Sequence, residues 1–154
     1  MKKRNKFLGI LGLLIGVIPG IILYVIASRL RIFASITVVA IFYGSIFGGS
    51  FFSNLFSGES DENEINDGMK YYEEEDNLSK GTVALATLFS LIGVYIAEVL
   101  DYTLSIVKEY PEVPFSEAFN FSLTDIFQSP VYLLISCVIV LFIGVSSMIK
   151  AGRN

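Results

Sequence analysis

Four stretches of this chain contain no charged residue: 7–28, 32–58, 81–97 and 126–149. A helix of that length in water needs a polar face, and these segments have none. Crossing the ~30 Å hydrocarbon core of a bilayer takes about 20 apolar residues in helical form. Three of the runs reach that length unaided. The run that begins at Gly81 is shorter, but continues through Val99 and Leu100 after a single carboxylate, Glu98. The expected fold is therefore all-α, an integral membrane bundle of four transmembrane helices at about 7–27, 32–52, 81–103 and 130–149. Segregation of charge matters more here than its total: only 17% of the residues are charged, and they fall between the runs.

The first run follows Lys2, Lys3, Arg4 and Lys6, and Val25-Ile26-Ala27 resembles a signal-peptide cleavage site. An uncharged run through Ser28 exceeds the usual h-region of roughly 7–15 residues, so a retained first span is expected. Basic residues near span ends set orientation. The N-terminus, the loop between spans two and three and the C-terminus carry eight of them; the other two loops carry three, Arg29, Arg31 and Lys108. The expectation is a multi-pass protein of the plasma membrane with both termini in the cytoplasm.

Spans one and two are joined by little more than Ser28 to Arg31. That predicts a tight antiparallel hairpin, with spans three and four forming a second. Gly12, Gly16 and Gly20 recur every four residues in span one, and Gly44 and Gly48 repeat the spacing in span two. Residues four apart share a helix face. Each set therefore makes a groove without side chains, where a neighbouring backbone can approach closely, which drives helix association in lipid. Closing the hairpin is the simpler use of both sets, and a homo-oligomer seam is the other. Pro19 leaves the carbonyl of Ile15 without its helical donor and should kink the span.

Glu98 and Asp101 lie one turn apart near the end of span three. Spans one and three run the same way, so Arg29 and Arg31 at the end of span one reach the same depth. These four residues form a candidate cluster: ion pairs across the bundle, simple exposure to the headgroups, or carboxylates on an ion or proton path.

Two connecting segments differ in character. Residues 57–80 are the acidic loop, expected to be cytoplasmic and solvated, with nine carboxylates. Counted from Asn63, this loop offers Asp67, Gly68 and Glu74 at calcium-loop spacing, but Ile65 occupies a ligand position, so no metal is expected. Residues 108–129 hold Tyr110, Phe115, Phe119, Phe121 and Phe127 and predict a short outer interfacial helix between spans three and four. Phe115, Phe119, Leu123 and Ile126 would form its apolar face. Pro114 is placed to open it, and Ser129-Pro130 to open span four as N-cap and first residue.

With no histidine and the lone Cys137 in the middle of span four, histidine-based hydrolysis and thiolate metal clusters are excluded. Asp101 has no second membrane aspartate with which to form an aspartic-protease dyad. No cofactor is expected, nor nucleic acid, because the long loop is acidic. The basic start followed by LGILGLLIGVIPG resembles small uncharacterised multi-spanning membrane proteins of Gram-positive bacteria. That likeness covers the first span, implies a bacterial plasma membrane and brings no activity with it. The leading expectation is a non-enzymatic protein acting through helix–helix contacts with the lipid bilayer and another membrane protein or itself, as an accessory subunit or an assembly- or immunity-type factor. The alternatives are a small oligomeric transporter or channel with Glu98 and Asp101 at its outer mouth, and a holin-like pore.

Overall fold

The computed structural model of the chain describes residues 6–30, 34–55, 80–128 and 130–151. The acidic loop, apart from Lys80, and Arg31 lie outside the described residues. Five helices follow in order: α1 (Lys6–Arg29), α2 (Ala34–Leu55), α3 (Lys80–Glu109), α4 (Phe115–Asp125) and α5 (Val131–Lys150). Four of them, all but α4, are long and apolar enough to cross a membrane.

Helix α3 is the central element and packs against α1, α2, α4 and α5. Val17 and Tyr24 of α1, Val38 and Ile41 of α2, Val94 and Ala97 of α3, and Leu133 and Val140 of α5 share one buried cluster. A second cluster holds Leu13, Phe42, Ile46, Val83 and Ala86. Much of the remaining apolar surface faces outward; Phe47 is 72% exposed and Phe142 74%. An apolar exterior of this extent is incompatible with water but suits lipid, where hydrocarbon surrounds it.

The α1–α2 contact is made by backbone. A Cβ on Gly12 would fall on the carbonyl oxygen of Gly48, one on Gly16 on that of Gly44, and one on Gly20 within 2.7 Å of the Ile41 backbone nitrogen. As the number rises along α1, that of its partner on α2 falls. Ser45 crosses the same seam, its hydroxyl donating to the Leu13 carbonyl at 2.9 Å. Helix α1 runs through Pro19 without interruption.

Glycines also bring α3 close to α1 and α5, here with a side chain seated on the bare position. A Cβ on Gly93 would strike Val17 of α1, and one on Gly144 of α5 would strike Thr87 of α3. The buried hydroxyls of Thr87, Ser90 and Thr103 donate to carbonyls four residues back, at 2.7–2.8 Å. Each needs no partner on another helix, so α3 packs closely at these positions without orphaned polar atoms.

Three local details differ from the sequence reading. The third helix does not stop near Thr103 but continues to Glu109. Pro111 is what ends it, because the residue before a proline is pushed out of the helical region. Pro114 and Pro130 each stand at the N-cap, one residue outside their helices, with the Pro114 carbonyl accepting from Glu117 and Ala118 and that of Pro130 from Leu134. The packed face of α4 is centred on the small residues Ala118 and Ser122, followed by Ile126, while Phe115, Phe121 and Phe127 are exposed. Small side chains let α4 approach α3, and the bulkier rings lie at the margins of the contact.

Replacing Gly16 with Ala should lower stability by ~1–3 kcal/mol, the usual scale of overpacking. Gly9→Ala should be nearly silent, because its Cβ meets Ser53 at an ordinary 3.6 Å. Denaturant unfolding followed by circular dichroism compares the two; equal effects would remove the seam from the account of stability.

Candidate functional site

Polar side chains gather where α1, α3 and the start of α5 meet. Tyr24 is the one tyrosine in an otherwise aliphatic span, and its side chain is 2% exposed. Its hydroxyl donates to Oε1 of Glu98 on α3 and stands 3.5 Å from the Ser136 hydroxyl on α5. One turn further along, the Ser28 hydroxyl donates to Oδ2 of Asp101 at 2.6 Å. The Arg29 guanidinium lies 3.5 Å from Oδ1 of Asp101 and donates to the Asp101 carbonyl at 3.1 Å.

The geometry follows from helix direction. Val17 meets Gly93, Tyr24 meets Glu98 and Ser28 meets Asp101, so α1 and α3 advance together. Positions 24 and 28 lie one turn apart on α1, as do 98 and 101 on α3, so the two pairs stack in successive layers. Ser136 enters from α5: Thr87 touches Gly144 at one end of the contact, while Glu98 and Ser136 converge on Tyr24 at the other.

Three of the four residues grouped from the sequence lie in these two layers: Arg29 is paired with Asp101, and Glu98, one turn away, accepts from Tyr24. Arg31 is outside the described residues. The Arg29–Asp101 pair is partly open, with the two side chains 33% and 22% exposed, so solvent or headgroups screen it. Glu98 sits deeper, where a hydrogen bond to a carboxyl replaces water that the span lacks. Gly12, Gly16, Gly20, Gly44 and Gly48 lie together on the α1–α2 seam, away from this cluster.

Sequence reasoning missed Tyr24, Ser28 and Ser136. A lone tyrosine or serine in an apolar span is a weak signal, and its importance appears only when a partner on another helix is known. It also missed that α4 is held by tyrosines of α3: the Tyr95 hydroxyl donates to the Leu123 carbonyl at 2.8 Å, and the Tyr102 hydroxyl to Oδ2 of Asp125 at 2.6 Å. Tyr95 also stacks on Phe127. Among the described residues no three of His, Cys, Asp and Glu converge to hold a metal ion. Nor does any buried side-chain polar atom among them lack a partner.

Compared with protein-family models, curated proteins and solved structures, the chain matches none.

A double-mutant cycle on Tyr24→Phe and Glu98→Gln should show coupling of ~0.5–2 kcal/mol, as for interhelical hydrogen bonds in lipid. The cycle on Arg29→Ala and Asp101→Ala should give ~0.2–1 kcal/mol. Crossing Arg29→Ala with Glu98→Gln should be additive. Strong coupling in that third cycle would contradict the separation into two pairs.

Proposed function

We propose that this chain is a small integral membrane protein of the plasma membrane that acts through helix–helix contacts, as an accessory subunit or assembly factor and not as an enzyme. Its spans form two antiparallel hairpins, α1 with α2 and α3 with α5. Both termini are cytoplasmic, and α4 rests at the outer interface. The descending order of the α1–α2 contacts and of the α3–α5 contacts supports the hairpins.

The observation that carries the reading is the outer face of α5. Helix α5 packs on α3 and α2 and leaves Val131, Ile135, Val138, Phe142, Val145 and Ile149 exposed. These positions alternate four and three residues apart, the spacing of a seam that receives a second helix at a shallow crossing angle. The glycine grooves of α1 and α2, by contrast, are already filled by one another. A photo-crosslinking residue at Phe142 should therefore capture one discrete membrane protein in native membranes, whereas one at Phe47 on α2 should yield lipid adducts. Lipid adducts at both positions would overturn the α5 interface.

A transporter or channel is the second reading, favoured by Glu98 with Tyr24 and Ser136 inside the span region. Its test is flux of protons or sodium ions in sealed liposomes. On this reading wild-type flux exceeds that of empty vesicles and falls at least ~10-fold in Glu98→Gln, whereas flux no greater than that of empty vesicles rules it out.

A further inference from the structure

Helix α3 continues as far as Glu109, and α4 folds back along it after the short turn 110–114. The turn is closed by hydrogen bonds from the Tyr110 amide to the Ile106 carbonyl at 2.8 Å and from the Val113 amide to the Tyr110 carbonyl at 3.0 Å. Between the two helices lies an open groove of about 460 Å³. That volume falls within the ~300–1,000 Å³ of small-molecule sites.

The lining chemistry is selective. Ala118 is fully buried and brings the two helices close. Tyr102, Tyr110 and Phe121 supply aromatic surface, and Glu109 and Glu117 supply carboxylates. No basic side chain lines the groove; Lys108, the neighbouring base on α3, is exposed outside it. Tyr102 is fixed in place by its hydrogen bond to Asp125. Aromatic faces together with carboxylates attract a cation that also has apolar surface, because the ring quadrupole and the anion act on the charge while the rings cover its methyl or methylene groups.

We propose that this groove binds an organic ammonium ion. Its position agrees with either of two sources. From Asp101 to Glu109 the helix rises ~12 Å, whereas the headgroup layer on one side of a bilayer is ~5–8 Å thick. With α4 at the outer interface, as proposed above, Asp101 marks the hydrocarbon edge, and the groove begins at headgroup depth and opens above it. The ammonium group of a phospholipid can enter from the side, and a free amine from solution.

The probe is choline, titrated by calorimetry into the full-length protein in a maltoside detergent, against the uncharged carbon isostere of choline. Saturable choline binding is expected, with the isostere at least ~10-fold weaker. The double variant Glu109→Gln/Glu117→Gln should bind choline ~10-fold less tightly while retaining its melting temperature. Phe121→Leu keeps most of the apolar bulk of an exposed side chain, removes the π face and should weaken choline more than the isostere. Repeating the titration in nanodiscs separates the sources. Choline affinity reduced by phosphatidylethanolamine, relative to pure phosphatidylglycerol, assigns the site to a headgroup; equal affinity in both assigns it to a free amine. Choline binding no tighter than the isostere, or unchanged in both the double variant and Phe121→Leu, overturns the proposal.

Discussion

The approach of α1 to α2 through bare backbone is the contact on which the rest of the bundle depends. In lipid, a side chain gains little by leaving hydrocarbon for another apolar helix, so association needs close packing of many atoms. Gly12 and Gly16 against Gly44 and Gly48 supply that packing. The seam fixes the rotation of α1, so Val17 and Tyr24 turn toward α3. Gly93 then accepts Val17, and Gly144 accepts Thr87. Each close approach sets the position of the next helix.

The same solvent governs the polar groups. A hydroxyl or carboxyl in the spans must find its partner within the protein. Most of the buried hydroxyls of α3 solve this locally, by bonding to their own helix. Tyr24, Glu98 and Ser136 solve it across helices, and so does Ser28 with Asp101. The first kind makes a helix easy to pack anywhere; the second selects one arrangement. The interhelix polar bonds that join α1, α3 and α5 lie at the Arg29 end of the bundle and hold these three helices in a single register.

Beyond Asp101, α3 carries no charge until Lys108 and Glu109, and α4 returns along it by way of small residues and tyrosine hydrogen bonds. Of the aromatic rings of α4, Phe115 and Phe121 stay half exposed, and Phe121 lines the groove beside α3. Ring bulk favours the headgroup region, and Ala118 and Ser122 favour contact with a neighbouring helix. Counting apolar residues on a face does not distinguish these two preferences.

The four apolar helices were legible in the sequence because charge is excluded from lipid whatever the tertiary contacts. The repeats of Gly12, Gly16, Gly20, Gly44 and Gly48 were legible as surfaces for close approach, since absent side chains are a local property. Partnership was not. Arg29 stands beside Asp101 and Glu98 beside Tyr24 because α1 and α3 advance together at one rotation, and rotation is set by distant glycines. Periodicity along one helix contains no record of that. Composition and spacing by themselves determined the solvent this chain requires and the segments that enter it. Only tertiary packing decided which polar groups meet, because hydrogen bonds depend on ångström-scale placement between segments far apart in sequence.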